Sequence, residues 1–369
     1  MSVKNAKILL TGGGTGGSVA PLLAVAEELR IKNYELRITN FLWLGTKHGP
    51  EREMVEKEDI KFKAIANGKF RRYFSWRNFI DPFLIIFGFV YSFFIILKWR
   101  PDLVMSAGSF ASVPAVWAAW LLRAPVLIHQ QDARPGLANK LMAPFANVIT
   151  VAFEKSLADY GKKAVWTGNP VRQFSIFNFQ FSIKEIRKKF GLRDDMPTVL
   201  VIGGGTGAMA INELIGKALP ELIKFCQIIH ITGKDKITNY KLQITNYKLF
   251  EFMNIEELIK VYTVADIVVS RCGMGVLTEL SYLGKPAILI PMPDSHQEEN
   301  AAIFAKKKAA IVLNQEELTP EKLADNIKKL LNDEMLRGKL SGNIKTIIKR
   351  GANERIAEIV KNILFSTEL

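Results

Sequence analysis

Short apolar runs alternate with helical patterns along the first half of the chain. Helices are predicted for stretches such as Val19–Arg30, Ala111–Arg123 and Leu137–Ala143. Between them lie six predicted strands: Lys7–Thr11, Phe41–Gly45, Lys61–Ala66, Asp102–Ser106, Pro125–His129 and Val148–Val151. Because strands that alternate with helices form parallel sheets, this half predicts a doubly wound α/β domain.

The same pattern begins again near Pro197. Predicted strands are Thr198–Ile202, Gln227–Ile231, Ile267–Ser270 and Ala287–Pro291, and predicted helices are Ala208–Leu219, Val276–Leu283, Gln297–Lys307 and Pro320–Leu331. The sequence therefore predicts two successive Rossmann-like domains, residues 1–170 and 171–369, joined between Gly168 and Phe190. The last predicted helix, Asn353–Phe365, could pack on either domain.

One apolar stretch, Phe83–Leu97, has fifteen residues without a charge. Spanning a bilayer takes about 20 residues, so a transmembrane helix is disfavoured and a buried core helix is one alternative. Asp81-Pro82 predicts its beginning as a cap followed by a first-turn proline. The upstream stretch from Lys61 to Arg77 is rich in basic and aromatic residues and has no acid, which favours docking on an anionic membrane surface. The predicted docking residues are Arg71, Arg72, Trp76, Phe83, Ile86 and Phe87.

A near-repeat, ITNYKLQ at 237–243 followed by ITNYKLF at 244–250, has a partial cousin at 33–41. Two full copies are too few for a solenoid, which needs at least three stacked units. The repeat is therefore predicted to be an insertion in a surface loop.

The charge balance narrows the classes of partner. The 369 residues include 50 Lys and Arg and 36 Asp and Glu, a net charge of +14, which favours an anionic partner. No nucleic-acid recognition motif accompanies that charge, so nucleic acid is not an expected partner. The two cysteines, Cys226 and Cys272, show no metal-ligand spacing, and no signal peptide is visible, so we expect a cytoplasmic protein without structural zinc.

Glycine-rich turns follow predicted strands at three places: residues 12–17, 107–109 and 203–207. Such turns let backbone N–H groups approach a phosphate at a helix N-terminus. The first turn lacks the Gly-Lys-Ser/Thr ending of a P-loop, and no acid ends the second strand as NAD binding requires. Two Rossmann-like domains that each carry such a turn favour a nucleotide-sugar transferase.

The motifs together resemble those of the MurG family. They are GGTGGSVAPLLAVAEEL at 13–29, HQQDARPGLANK at 129–140, TGNPVR at 167–172, GGGTGA at 203–208, RCGMGVLTE at 271–279 and PMPDSHQEENA at 291–301. They occur in the family's order over nearly the whole chain. The resemblance implies a GT-B fold, in which two Rossmann-like domains face a central cleft.

The resemblance also implies an activity. It is an inverting transfer of GlcNAc from UDP-GlcNAc to the undecaprenyl-diphosphate-linked acceptor lipid I, which forms lipid II in peptidoglycan synthesis. UDP-GlcNAc is a substrate, and no cofactor or metal is implied. The expected location is the cytoplasmic face of the cell membrane, as a peripheral protein, with cell-wall synthesis and division proteins as further candidate partners. The first domain would bind acceptor and membrane, and the second would bind UDP-GlcNAc.

Site residues carry over from the matching motifs. The first turn, with Thr15, Gly16 and Gly17, is expected near the donor sugar and acceptor diphosphate. Glu279 would accept the ribose hydroxyls, and Met253 would lie against uracil. The remaining substrate-binding residues implied by the resemblance are Asp132, Arg172, Gly205, Thr206, Met274, Gly275, Val276, Leu277, Thr278, His296 and Gln297. Arg271 is expected to form a structural ion pair.

Two segments depart from the family pattern. Ser18 stands where the family has a histidine, and His129-Gln130-Gln131-Asp132 stands where it has His-Glu-Gln-Asn. A serine cannot replace a histidine as proton acceptor, so we hypothesise that Asp132 takes over base or sugar-binding work. Ser18, Asp132 and His129 are the candidate catalytic residues, although His129 could equally be a structural histidine. The alternatives are another membrane-docked GT-B enzyme, such as a diacylglycerol glucosyltransferase, or a nucleotide-sugar-binding homologue with weakened catalysis.

Overall fold

The computed structural model describes residues 6–31, 40–66, 68, 77–172, 182–204, 207–236 and 245–365, without the side chains of 77–82. It divides the chain into two compact units. Unit 1 comprises Met1–Arg172 and Lys349–Leu369, and unit 2 comprises Gln173–Ile348.

Unit 1 is built on a seven-stranded parallel sheet with the order β3-β2-β1-β4-β5-β6-β7. Its strands are β1 (Lys7–Thr11), β2 (Asn40–Gly45), β3 (Lys61–Ala64), β4 (Leu103–Ser106), β5 (Val126–Gln130), β6 (Val148–Val151) and β7 (Ala164–Trp166). Its first six helices are α1 (Ala20–Ile31), α2 (Glu51–Glu56), α3 (Arg77–Trp99), α4 (Ser112–Leu121), α5 (Leu137–Met142) and α6 (Leu157–Tyr160).

Unit 2 repeats the design with a six-stranded parallel sheet of order β10-β9-β8-β11-β12-β13. Its strands are β8 (Thr198–Ile202), β9 (Gln227–Ile231), β10 (Tyr247–Phe250), β11 (Ile267–Ser270), β12 (Ala287–Leu289) and β13 (Ile311–Val312). Its helices are α7 (Ile183–Phe190), α8 (Met209–Leu222), α9 (Ile255–Val264), α10 (Met274–Leu283), α11 (His296–Lys306), α12 (Pro320–Asn332) and α13 (Glu334–Ile344). The prediction of two Rossmann-like α/β domains is confirmed.

Both faces of the unit 1 sheet are buried, which explains its nearly continuous apolar strands. Successive side chains of a strand point to opposite faces. Ile8 and Leu10 of β1 belong to the core cluster beside α1, whereas Leu9 belongs to the cluster beside α3 and α4. The final helix, α14 (Ala352–Phe365), packs against α1 and contributes Ile356 and Val360 to the first of these clusters.

Three short strands, β7, β10 and β13, were not predicted. β10 lies in the second copy of the near-repeat, so the prediction of a surface loop is wrong there. Its Tyr247 is buried and its hydroxyl is 2.8 Å from Nδ1 of His230 on β9, so packing and pairing with β9 make this segment an edge strand. Residues 237–244 of the repeat lie outside the described residues.

The apolar helix α3 begins at Arg77, five residues earlier than predicted. Asp81 is therefore not its cap, and Pro82 lies inside the helix, where it costs one backbone hydrogen bond. In the part of the chain that the structure describes, none of the helices combines the length and the hydropathy that spanning a bilayer requires.

Candidate functional site

Three loops of unit 1 meet where the strand order of its sheet reverses, between β1 and β4. Ser109, in the loop after β4, donates its hydroxyl to the Gly13 carbonyl at 2.8 Å. Gln131, after β5, donates its side-chain amide to the Gly17 carbonyl at 2.9 Å. Open α/β sheets bind their ligands at the carboxyl ends of strands at such a point, so this is the candidate site of unit 1.

The loop that follows β1, residues 12–18, is named here the amide loop. Thr15 and Gly17 are exposed, and Gly16–Ser18 forms a short 3-10 helix. Within the described part of the chain, the N–H groups of Thr15, Gly16 and Gly17 have no hydrogen-bond partner, as expected where a helix begins. These three N–H groups precede α1 and can donate to an anion such as a phosphate.

Ser18, a candidate catalytic residue, is buried and its hydroxyl interacts with its own loop. The Gly13 N–H donates to Ser18 Oγ at 3.2 Å, and the hydroxyl is 3.4 Å from the carbonyls of Gly13 and Thr15. Its position therefore supports closing the amide loop rather than accepting a proton from a substrate.

His129 is also buried, and both of its ring nitrogens have protein partners. Nδ1 lies 2.9 Å from Thr150 Oγ1 and Nε2 lies 2.8 Å from Asn169 Oδ1. Burial lowers its pKa to about 4, against the smaller upward effect of the hydrogen bond with Asn169. The imidazole is therefore neutral near pH 7, and its contacts are those of a structural histidine.

Asp132 lies half-buried in the loop after β5. The buried side chain of Gln130 holds this loop, because its Nε2 donates to the Asp132 carbonyl at 2.7 Å. Gln130 Oε1 accepts from Asn139 Nδ2 at 2.5 Å and from the Tyr160 hydroxyl at 3.0 Å. Sequence reasoning missed this network, since its members are distant in the chain and no local pattern links them.

In unit 2, the strand order reverses between β8 and β11, and α10 begins directly after β11. Gly273 caps α10 without a side-chain hydrogen bond, and the Leu277 N–H is the first to find a helix carbonyl, that of Gly273. The N–H groups of Met274, Gly275 and Val276 precede it, which makes this helix start a second candidate anion site.

The predicted residues along α10 differ in exposure. Gly275 is exposed, whereas the side chains of Leu277 and Thr278 are buried and the Thr278 hydroxyl donates to the Met274 carbonyl at 2.6 Å. In the first turn of α10, the groups available to contact a ligand are therefore backbone N–H groups. The predicted substrate-binding residues Gly205 and Thr206 lie outside the described residues.

Gln297, at the beginning of α11, supports the α10 start. Its Oε1 accepts from the N–H of Cys272 at 3.1 Å and of Met292 at 3.2 Å. Within the described residues its NH2 group has no partner and is the donor left for a ligand. The neighbouring His296 is exposed.

Arg271 is buried and donates to the carbonyls of Ile290 at 3.1 Å and Pro291 at 3.0 Å, and also to the side chain of Gln315. These partners are neutral, so within the described residues the arginine is structural but does not form the predicted ion pair. It ties the end of β11 to the end of β12.

Glu279 is half-buried on α10, and its Oε2 accepts from the Tyr262 hydroxyl at 2.9 Å. Burial raises the pKa of this carboxyl to about 7, and the hydrogen bond from Tyr262 opposes part of that rise.

Met253, predicted to lie against uracil, is buried at the end of the loop after β10, beside the exposed Phe252.

Arg172 lies at the end of the first segment of unit 1. Its guanidinium Nη2 is 2.5 Å from Oε1 of Glu58, and both side chains are about one-third exposed. Arg172, which was predicted to bind substrate, thus forms an ion pair with Glu58 within unit 1.

The predicted docking residues on α3 form part of an apolar stripe. Phe83, Ile86 and Phe87 are 58% to 65% exposed. Further exposed apolar residues continue the stripe at helical spacing: Val90, Tyr91, Phe94 and Leu97. The opposite face carries the buried Ile95 and Ile96. Arg71, Arg72 and Trp76 lie outside the described residues.

Across the ranges that the structure describes, no group of three or more His, Cys, Asp or Glu residues is arranged to hold a metal ion. The two candidate sites instead consist of backbone N–H groups, hydroxyls, amides and carboxylates. Such groups can bind a diphosphate and sugar hydroxyls.

Comparisons with known proteins give consistent results. Residues 8–151 match the glycosyltransferase family 28 N-terminal domain, and residues 198–356 match the C-terminal domain of that family. The UDP-N-acetylglucosamine--N-acetylmuramyl-(pentapeptide) pyrophosphoryl-undecaprenol N-acetylglucosamine transferase of Clostridium kluyveri is 38% identical over 96% of this chain and 99% of its own length. A Bacillus cereus relative with the same name and the number 2 is 36% identical over 97% and 99%. The crystal structure of Acinetobacter baumannii MurG superposes with a TM-score of 0.74 at 25% identity, covering 97% of this chain and 99% of that one.

Proposed function

This chain belongs to the MurG family, within glycosyltransferase family 28, and on that basis we propose that it transfers GlcNAc from UDP-GlcNAc to lipid I, forming lipid II. The observation that carries the proposal is that each unit has a candidate anion site at the strand-order reversal of its own sheet. These sites are the amide loop of unit 1 and the start of α10 in unit 2. One such loop per unit suits a reaction in which donor and acceptor both carry a diphosphate.

We assign the nucleotide donor to unit 2. The N–H groups at the start of α10 would bind the diphosphate of UDP, and ionised Glu279 would accept hydrogen bonds from the ribose hydroxyls. The NH2 group of Gln297 supports a contact with the donor sugar. As the bond to the leaving UDP breaks, these fixed N–H dipoles would stabilise the charge that develops on the diphosphate.

We assign the acceptor to unit 1, where the amide loop would bind the lipid-linked diphosphate. The muramoyl 4-hydroxyl oxygen attacks C1 of GlcNAc, the bond from C1 to the UDP oxygen breaks, and the hydroxyl proton passes to a base. Asp132 is our candidate for that base, because its half-buried carboxylate follows Gln131, whose side chain contacts the amide loop. Asp132→Asn removes the basic oxygen, and full retained transfer activity in this variant would reject the assignment.

The direct test of function is UDP release from UDP-GlcNAc, with and without a short-chain lipid I analogue. We expect release that depends on the analogue and a product carrying one added GlcNAc. Diacylglycerol as the alternative acceptor tests the competing lipid class. Release that occurs with diacylglycerol and not with the analogue would reject the proposal.

We also propose that the apolar stripe of α3 docks on an anionic membrane surface. Its seven exposed apolar residues and the net charge of +14 support this. Phe87→Glu should reduce co-sedimentation with vesicles that contain phosphatidylglycerol by roughly tenfold, since it loses about 1–2 kcal/mol of apolar burial. Met335→Glu is the matched control, because Met335 is 87% exposed in unit 2. Equal binding by both variants would refute docking through this stripe.

A further inference from the structure

A buried carboxylate lies directly behind the amide loop. Glu51, the first residue of α2, is 0% exposed. Its Oε2 accepts from the Gly14 N–H at 3.1 Å. Its Oε1 accepts from the Thr46 N–H at 2.6 Å and from the Thr46 hydroxyl. The side chain thus connects the loop after β2 to the loop after β1.

Glycines make room for this carboxylate. A Cβ atom at Gly13 would lie 2.2 Å from Glu51 Oε1, and one at Gly49 would lie 1.8 Å from Oε2. Contacts this short are impossible, so any side chain at either position would displace the carboxylate. The glycines at 13 and 49 are therefore explained by the space that Glu51 occupies.

The contact with Gly14 determines which N–H groups the amide loop presents. Gly14 has a φ of +81°, and its N–H points inward to Glu51. On the preceding residue, Gly13, the carbonyl accepts from Ser109 and the N–H donates to Ser18. The Gly14 N–H and both backbone polar groups of Gly13 therefore already have hydrogen-bond partners within unit 1. The N–H groups of Thr15, Gly16 and Gly17 come next along the chain.

We infer that Glu51 is a positioning residue that fixes the peptide group of Gly14 so that the next three N–H groups face a bound diphosphate. The loop geometry is independent of the reaction, but the choice of the lipid-linked diphosphate as ligand rests on the proposed function. Glu51 lies behind the loop and out of reach of solvent, so its role is to hold the loop and not to touch the substrate.

The decisive variant is Glu51→Gln, which keeps the shape of the side chain. The single amide oxygen can serve the two donors of Thr46, and the NH2 group then meets the Gly14 N–H, donor against donor. We expect the KM for the lipid I analogue to rise about tenfold, the size expected for one buried donor left unpaired. The Kd for UDP, measured by titration calorimetry, should stay unchanged because that site belongs to unit 2.

Two further variants keep the inference open to refutation. Glu56→Gln is the matched control, since Glu56 lies on the same helix and pairs with Arg52 at the surface. Ser109→Ala removes the restraint on the Gly13 carbonyl from a partly exposed position, so it tests the same loop if Glu51→Gln does not fold. It should also raise the acceptor KM.

Hydrogen exchange separates the inference from the proposed function. In Glu51→Gln, the Gly14 amide should exchange faster than in the wild type, whatever the acceptor. If the wild type releases no UDP with the lipid I analogue, the proposed function fails and exchange alone tests the inference. A folded Glu51→Gln with wild-type exchange at Gly14, or with a lower Tm and an unchanged acceptor KM, would overturn the positioning role.

Discussion

The raised pKa of Glu279 makes a specific prediction about donor binding. A ribose-binding carboxylate accepts hydroxyl hydrogen bonds most strongly when it is ionised, and burial raises the pKa of Glu279 to about 7 from an ordinary value of 4.5. If only the ionised form binds, the apparent Kd is the intrinsic one divided by the ionised fraction. Affinity for UDP-GlcNAc should therefore be about tenfold weaker at about pH 6 than at about pH 8.

Tyr262→Phe perturbs this equilibrium with little change of shape. The variant removes the hydroxyl that donates to Glu279 at 2.9 Å and favours the ionised form. A hydrogen bond to a charged group is worth about 1.5 kcal/mol or more, which moves the midpoint upward by about one pH unit. At about pH 7 the ionised fraction then falls from one-half to near one-tenth, so affinity should drop about fivefold.

The assay is titration calorimetry with UDP-GlcNAc from about pH 5.5 to about 8.5. UDP-GlcNAc is preferred to UDP, because its diphosphate has no terminal phosphate group that titrates near neutral pH. Tyr91→Phe, at an exposed tyrosine of unit 1, is the control. A flat pH profile for the wild type, or the same profile in Tyr262→Phe, would refute the role given to Glu279.

The remaining predictions concern stability. Burial lowers the pKa of both His129 and His230 to about 4, so each resists a proton that the unfolded chain accepts below about pH 6.5. Stability should be greatest above that pH and fall as the pH drops towards 4, by up to about 3 kcal/mol per histidine. Urea unfolding should show a smaller drop in His230→Gln, and an equal drop would contradict the assignment. Gly168→Ala should lower the free energy of unfolding by at least about 2 kcal/mol, because φ is +85° and the new Cβ would lie 1.9 Å from the Lys349 carbonyl oxygen. Gly338→Ala, in open space on α13, should instead stabilise by up to about 1 kcal/mol, and similar midpoints for the two variants would reject this reasoning.

Local sequence patterns were sufficient to predict most of the strands and the two-domain organisation. Apolar runs bounded by turns predicted the central strands of both sheets, since a strand buried on two faces must be apolar throughout. The short edge strand β10 escaped prediction because its sequence repeats an adjacent polar segment. What makes it a strand is pairing with β9 and the contact of Tyr247 with His230, which are distant in the chain.

The sequence by itself determined the α/β class, the two-domain organisation, the glycine turns and the apolar helix. Each of these features depends on the pattern of residues that are close together in the chain. Only the tertiary structure decided how the candidate side chains are used. It gave both nitrogens of His129 to internal partners, left one face of α3 exposed, and placed Glu51 behind the amide loop. The physical reason is that hydrogen-bond partners and burial depend on which strand ends meet, and strand order is a property of the folded sheet.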